Sequence, residues 1–147
     1  MDLSQFAELP SPFYRVALKA IILDDQGRLL LVVNKDGVLE IPGGGWEHNE
    51  TMEQGLQREL QEEIGVRAKN IAPILFTYRG QSRRGWQMLR LAMRVELESY
   101  NFAPSDGMTA TRFVTRAEFL GLDFQDYEKG VQNMVDYIWP SQTKEQN

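Results

Sequence analysis

Residues 43–66 read GGGWEHNETMEQGLQRELQEEIGV, a glycine run and a short polar turn that lead into a helix ending in acidic residues. Glu59, Glu62 and Glu63 lie close together on that helix, where like charges repel one another and weaken an isolated helix. A bound divalent cation would hold the three carboxylates ionised together, because hard metal ions prefer oxygen ligands. The stretch therefore predicts an acidic metal platform that faces a glycine loop.

The helix is predicted to run from about residue 51 to residue 64. Thr51 followed by Gln54 is a capping-box pattern, and Gly65 stands where a left-handed residue would end the helix. A spacing of four predicts a buried stripe made of Met52, Leu56, Leu60 and Ile64. At about 100° per residue, the three glutamates share one arc beside that stripe, and Glu63 overlaps its edge. A carboxylate that partly faces a core needs a partner, which supports a bound cation.

The composition is that of a single globular domain covering residues 1–147. A net charge of −5 argues against nucleic-acid binding through a broad basic surface, but it allows a small anionic substrate held by a metal ion or a few local cations. No apolar run is long enough to cross a bilayer, and residues 1–12 lack the features of a signal peptide, so a cytoplasmic location is expected. The absence of cysteine excludes disulfides, zinc–thiolate sites and a cysteine nucleophile.

Six segments outside this stretch have the composition of strands: residues 14–23, 28–33, 38–41, 70–78, 86–98 and 111–115. The first two flank a turn and are expected to form a hairpin, the second of them buried on both faces. Pro73 makes the fourth an edge or bulged strand. The fifth alternates between an apolar face and a polar face that includes Arg90.

Further helices are predicted at residues 116–122 and 126–139, the second with an apolar face that includes Val131. An irregular lead-in at residues 1–12 and a frayed tail at residues 141–147 complete the chain. Mainly antiparallel strands combined with these helices predict an α+β fold, an α/β/α sandwich in which a mixed sheet packs between helices.

The motif formed by the opening stretch resembles the Nudix box. The matching positions are Gly44, Glu50, Arg58, Glu59, Leu60, Glu62, Glu63, Gly65 and Val66. So many matches at fixed spacing, in a loop that leads into a helix, make the resemblance specific. The wider stretch LEIPGGGWEHNETMEQGLQRELQEEIGV is most similar to MutT-type members. The resemblance implies the Nudix fold and a Nudix hydrolase, that is, a nucleotide pyrophosphatase that cleaves the pyrophosphate bond of a nucleoside diphosphate linked to another group. The MutT-type members hydrolyse nucleoside triphosphates.

The resemblance also implies roles for individual residues. The ligands of a magnesium or manganese ion would be the backbone carbonyl of Gly43 and the carboxylates of Glu59, Glu62 and Glu63. One of Glu62 and Glu63 would be the general base, and Arg58 and Glu50 would pair and orient the metal ligands. Hydrolysis of a phosphoanhydride needs charge neutralisation and an oriented water, and such a site supplies both.

Candidate substrate contacts lie outside the box. The cationic candidates are Arg15, Lys19, Arg83 and Arg84. Arg83 and Arg84 could clamp a phosphate, or they could form only a solvated hairpin tip. The aromatic candidates are Trp46, Tyr78 and Trp86, which could stack on a base or serve the core.

His48, Glu96 and Glu98 are further candidates for a base, a phosphate contact or a metal ligand. His48 is the only histidine and lies in the loop beside the box, where an exposed histidine without a role is the competing interpretation. For Glu96 and Glu98 the competing interpretation is the ordinary polar face of a strand.

The sequence favours a nucleoside triphosphate as substrate, as in MutT-like housecleaning enzymes. The proline that ADP-ribose hydrolases carry some way beyond the box has no counterpart, since the nearest proline is Pro73, and the NADH-type motif SQPWPF is absent. The alternatives are hydrolysis of ADP-ribose, nucleotide sugars or dinucleoside polyphosphates, or a non-catalytic Nudix-fold module that binds nucleotides. The expected partner is a small nucleotide rather than nucleic acid or a membrane, and the prediction allows a homodimer.

Overall fold

A computed structural model describes residues 4–5 and 13–141, without the side chains of residues 126, 127 and 129. Apart from residues 4, 5 and 141, the predicted lead-in up to residue 12 and the predicted tail lie outside the described residues. Within the described part of the chain, no helix is both long enough and apolar enough to span a membrane.

From residue 13 onward the described residues form four strands, one helix, three further strands and then a series of short helices. The strands are β1 (Arg15–Ile21), β2 (Leu29–Asn34), β3 (Leu39–Glu40), β4 (Gly43–Gly45), β5 (Ala68–Gln81), β6 (Gln87–Leu97) and β7 (Met108–Val114). The helices are α1 (Met52–Ile64), α2 (Arg116–Leu120), α3 (Gln125–Glu128) and α4 (Val135–Ile138), with a 3-10 helix at Lys129–Met134 between α3 and α4.

Two sheets form the centre of the fold. The mixed sheet has the strand order β4-β1-β6-β5, in which β1 and β6 are parallel, and the antiparallel sheet has the order β3-β2-β7. The predicted hairpin between β1 and β2 is therefore wrong. Its turn is present, but only an isolated Leu23–Leu29 bridge and a hydrogen bond from Leu30 N–H to the Ile22 carbonyl join the two arms. Pairing of β1 along its whole length with β6 leaves β2 to pair with β7.

The edge position and the bulges predicted for the strand that contains Pro73 are confirmed. β5 is the last strand of the mixed sheet, and its register against β6 shifts between Ile71 and Ile74 and again before Phe76. Because proline lacks an N–H, it is tolerated where the ladder is already interrupted. The strand continues to Gln81, so the basic loop after it is a tight turn.

Helices cover both faces of the sheets, which confirms the α+β sandwich. On one face, α1 packs through Leu56, Leu60 and Ile64. On the other face, the C-terminal segments pack through buried Val131 and Ile138. Since the sheet is covered on both sides, the prediction of a purely polar second face for β6 fails. Arg90 on that face is buried instead, with only 5% of its surface exposed.

The single helix predicted at residues 126–139 is broken into α3, the 3-10 helix and α4. Gly130 lies against β5, where an added Cβ would be 2.7 Å from the Arg79 carbonyl oxygen. This close approach lets the 3-10 turn press its apolar residues onto the sheet, so the predicted face is kept although the helix is not continuous.

Candidate active site

The sequence predicted a loop at the glycine run, residues 43–45. In the structure these residues form the edge strand β4, which pairs antiparallel to β1. Gly43 has a φ of 130°, and an added Cβ would lie 2.0 Å from the Leu18 carbonyl oxygen. At Gly44 an added Cβ would lie 2.6 Å from the carboxylate of Glu59. Glycine is needed here because backbone of β1 and a carboxylate of α1 both touch this strand.

The helix α1 places the acidic residues beside that strand, and it begins and ends where the sequence predicted. Thr51 and Gln54 form both hydrogen bonds of a capping box, and Gly65 adopts the left-handed conformation with a φ of 68°. Both features fix where the helix begins and ends. The predicted overlap of Glu63 with the apolar stripe is confirmed, since its side chain is buried.

Glu63 is held against the backbone of β4. The N–H of Gly43 donates to its two carboxylate oxygens at 3.3 and 3.4 Å. Burial, with a smaller contribution from Glu59, raises the pKa of Glu63 to about 8, although Lys19 and the Gly43 N–H oppose the shift. A carboxyl group in such a place is readily protonated unless a further positive charge approaches it.

Arg58 connects the rest of the acidic cluster. It donates to both carboxylate oxygens of Glu50, at 2.8 and 3.1 Å, so the implied pair between these residues is present. It also donates to Glu59 at 2.8 Å and to the Gly45 carbonyl at 3.0 Å, and lies 3.5 Å from Glu62. Hydrogen bonds from Arg58 and from the backbone hold the pKa of Glu50 below its usual value.

The carboxylate oxygens of this cluster are the ligands that a hard divalent cation prefers, although their rotamers do not form a complete coordination shell. Within the described residues, no three Asp, Glu, His or Cys side chains converge closely enough to hold a metal ion. Glu59 contacts Arg58, while Glu63 faces Gly43. Burial, then the charge of Glu59, raises the pKa of Glu62. A cation bound by these carboxylates would oppose that shift and the one at Glu63.

An open cleft of about 310 Å³ lies beside β4. Arg15, Ser82, Arg84, Trp86 and Met88 line it. The guanidinium carbons of Arg15 and Arg84 lie 5.1 and 5.9 Å from the centre of the Trp86 ring. An added Cβ on Gly45 would come within 2.4 Å of Arg15, so this cleft begins where the glycine strand ends. Among the described residues, neither arginine has a carboxylate partner within ion-pair distance.

The four cationic substrate candidates therefore fall into two groups. Arg15 and Arg84 share the cleft with Trp86, whereas Arg83 turns away to Asp36 and Glu40, at 3.2 and 3.6 Å. Lys19 does not line an open surface, because it is buried and forms an ion pair with Glu128 at 3.0 Å.

The remaining candidates form no contact with the carboxylates of Glu59, Glu62 and Glu63 among the described hydrogen bonds and ion pairs. His48 and Glu96 are exposed, and Glu98 forms a surface ion pair with Arg67 at 3.9 Å. The Trp46 indole donates to the carbonyl of Glu50. Tyr78 is buried and donates its hydroxyl to Glu128.

Sequence reasoning missed Glu128, a buried carboxylate beside the site. It precedes Val131, Val135 and Ile138 at intervals of three, seven and ten residues, and so occupies the apolar face of the predicted helix. An acidic residue on an apolar face signals a buried partner. That signal was available in the sequence.

A family model described as a NUDIX domain matches residues 13–136. The chain belongs to the Nudix family. Among curated Nudix relatives, it is 36% identical over 84 residues to an RNA pyrophosphohydrolase of Saccharophagus degradans, a match that covers 56% of this chain and 46% of the relative. It is 67% identical over 30 residues to an 8-oxo-dGTP diphosphatase of Proteus vulgaris, covering 20% of this chain and 27% of the relative. The chain thus spans less than half the length of these two relatives.

The Nudix fold is matched over most of the chain in solved structures. A MutT protein of Methanosarcina mazei superposes with a TM-score of 0.74 at 18% identity, covering 89% of this chain and 96% of that protein. At such low identity the likeness concerns the fold alone.

Proposed function

We propose that this Nudix protein is a metal-dependent hydrolase of the phosphoanhydride bond in nucleoside diphosphate derivatives, with nucleoside triphosphates as the substrate class. The observation that carries the proposal is the contact between β4 and α1. Gly43 donates its N–H to Glu63, and Gly44 leaves room for the carboxylate of Glu59. Oxygen donors therefore gather along a strand that has no side chains to exclude a polyphosphate.

Magnesium or manganese is the proposed cofactor, held by the Gly43 carbonyl and the carboxylates of Glu59, Glu62 and Glu63. Once bound, the ion would neutralise charge on the phosphate oxygens and acidify a bound water. Arg58 would keep Glu59 and Glu50 in place, since it donates to both. Its guanidinium offers several donors in a fixed plane, which suits it to hold two carboxylates at once.

Glu62 is the proposed general base. Its side chain is 43% exposed, whereas Glu63 is only 4% exposed and faces Gly43. The water oxygen would form a bond to phosphorus while the anhydride P–O bond breaks, and Glu62 would accept the proton of the water. A base needs contact with solvent to take that proton and to release it afterwards, which favours Glu62 over Glu63.

The cleft formed by Arg15, Arg84 and Trp86 is the proposed seat of the nucleoside. An indole ring provides a stacking surface for a base, and the two guanidinium groups without carboxylate partners can attract phosphates. Because β4 is an edge strand of glycines, a ligand can pass over it from the glutamates to this cleft.

A second candidate is hydrolysis of the 5′-triphosphate of RNA. The similarity to an RNA pyrophosphohydrolase supports it, and so does the cleft, because Arg15 and Arg84 could contact a phosphate beyond the first nucleotide. The net charge of −5 would then be offset locally by two arginines, without a broad basic surface.

A hydrolysis screen tests both candidates. Purified protein with Mg²⁺ or Mn²⁺ is offered dNTPs, 8-oxo-dGTP, 5′-triphosphorylated RNA, ADP-ribose, dinucleoside polyphosphates and nucleotide sugars, and released phosphate and pyrophosphate are measured. Glu62→Gln should lose at least about a hundredfold in activity. Glu53→Gln, in the exposed first turn of the same helix, should retain it. Tight metal-dependent nucleotide binding without turnover would contradict a hydrolase and favour a binding module.

A further inference from the structure

Three successive carbonyl groups at the entrance to β4 are held from β1. The ammonium of Lys19 donates to the carbonyls of Ile41 and Gly43 at 3.1 and 3.4 Å. The backbone N–H of Ala20 donates to the carbonyl of Pro42, between them, at 2.8 Å. The path of the chain into the glycine strand is therefore set by one buried side chain and one backbone group of β1.

Lys19 is in turn fixed by Glu128, which lies in α3 on the opposite side from α1. One carboxylate oxygen of Glu128 contacts Lys19 at 3.0 Å and the Nε of Arg90 at 3.6 Å, and the other accepts a hydrogen bond from Tyr78 at 2.5 Å. Lys19 is 7% exposed and Glu128 2%. Glu128 thus joins α3 to β1, β5 and β6, and Lys19 connects it to the glycine strand.

Gly43 is the residue at which these two sides meet. Its carbonyl receives Lys19, and its N–H donates to Glu63 on α1. We propose that Lys19 and Glu128 are positioning residues: Glu128 fixes the ammonium of Lys19, and Lys19 fixes the carbonyl of Gly43 and hence the place of Glu63. Where it concerns metal binding, this inference rests on the function proposed above.

The charges of the pair suit this role. An ammonium beside a carbonyl that is to bind a cation would repel that cation if its charge were not balanced. Glu128 supplies a balancing negative charge from the other side, which Lys19, at 3.0 Å, shares with Arg90, at 3.6 Å. A buried ion pair adds little to stability compared with apolar residues of similar volume, so stability alone is a weak reason for burying Lys19 here.

The test compares Lys19→Met with Lys69→Met, the same change at an exposed lysine of β5. Mn²⁺ affinity is measured by electron paramagnetic resonance, and the amide signals of residues 43–45 by NMR, both well below the unfolding temperature. Lys19→Met should weaken Mn²⁺ binding about tenfold and shift the Gly43 signal. Lys69→Met should match the unmodified protein. If Lys19→Met folds and leaves both the affinity and the Gly43 signal unchanged, the proposal is wrong.

Tyr78→Phe decides the question if Lys19→Met does not fold, because it removes one of the three described contacts of Glu128, the Tyr78 hydroxyl, and keeps Lys19 and Arg90. The amide chemical shift of Gly43 should move toward the value of an unstructured glycine. Mn²⁺ binding should weaken about two- to threefold, as expected for one lost hydrogen bond. Unchanged values in Tyr78→Phe would overturn the positioning role. A protein that hydrolyses no nucleotide would contradict the proposed function, whereas the Gly43 signal would still report on Lys19 and Glu128.

Discussion

The N–H of Gly43 and the carboxylate of Glu63 are hydrogen-bonded across 20 residues of sequence, from the edge strand β4 to the last turn of α1. The contact joins the first glycine of the run at residues 43–45 to the last glutamate of the motif. It also places Glu63 where burial raises its pKa to about 8. Backbone conformation, a buried carboxyl group and the proposed metal site are thus parts of one contact, and a change in any one of them should affect the others.

The first prediction concerns the pH dependence of stability without metal. Glu63 has a pKa of about 8 in the folded protein and about 4.5 when unfolded, so between these values the folded state binds more protons. The free energy of unfolding should therefore fall as pH rises from about 5 to 8, by up to about 1.4 kcal/mol per unit, and level off above 8. Urea titrations in chelator at several pH values measure it.

Glu63→Gln is the matched control, because the amide keeps the shape and cannot ionise. Its unfolding free energy should fall much less over the same pH range, and the remaining fall should come from Glu62, whose pKa is also raised. Saturating Mg²⁺ should also flatten the profile of the unmodified protein, since a cation favours the ionised carboxylate. A profile that falls equally in Glu63→Gln would assign the effect to another group.

The second prediction separates two glycines by what an added methyl group would meet. Gly44→Ala should fold, because its φ is not positive, but the new Cβ must displace the carboxylate of Glu59. We expect hydrolysis to fall by about tenfold or more and Mn²⁺ affinity to fall with it. Gly121→Ala, where the nearest atom would be 3.6 Å away, should leave both unchanged. Normal metal affinity in Gly44→Ala would show that Glu59 is not a ligand.

The third prediction concerns Arg58, whose guanidinium donates to Glu50, Glu59 and the Gly45 carbonyl. Lysine keeps the charge but cannot make these bonds together. Arg58→Lys should lower the unfolding free energy by about 1–3 kcal/mol and weaken metal binding. Arg67→Lys, at an exposed ion pair, should change neither. Equal unfolding free energies and metal affinities in the two variants would show that Arg58 acts only as a surface charge.

The features that the sequence predicted correctly are those with local causes. The ends of α1 follow from Thr51, Gln54 and Gly65, each of which acts within one helical turn. The burial of Glu63 follows from helical periodicity. Arg58 and Glu50 were paired through the resemblance to the Nudix box, and the structure brings them into contact.

Features that depend on distant partners could not be predicted in this way. The turn before Arg28 indicates a hairpin, but the partner of β1 is decided by β6, far along the chain. The pair of Lys19 and Glu128 depends on α3 packing beneath β1, and Tyr78 reaches Glu128 across 50 residues. The alternation of apolar and polar residues in one sequence predicts a strand, but it does not predict which other strand will pair with it.

The last prediction tests the nucleoside cleft with two neighbouring residues. Arg84 lies over Trp86 at the cleft, whereas Arg83 is bound to Asp36 and Glu40. Arg84→Gln should raise KM for the nucleotide about five- to tenfold, with kcat and Mn²⁺ affinity unchanged, because it removes a contact made equally in the ground and transition states. Arg83→Gln should keep the normal KM.

Salt dependence in the same two variants then separates the two substrate classes. If Arg84 contacts a phosphate of RNA beyond the first nucleotide, KM for triphosphorylated RNA should rise steeply with salt, and Arg84→Gln should reduce that slope. KM for a mononucleoside triphosphate should respond to the same substitution with a smaller change in salt dependence. Equal KM values for Arg83→Gln and Arg84→Gln on every substrate would place the nucleoside outside this cleft, because Arg84 lines the cleft and Arg83 does not.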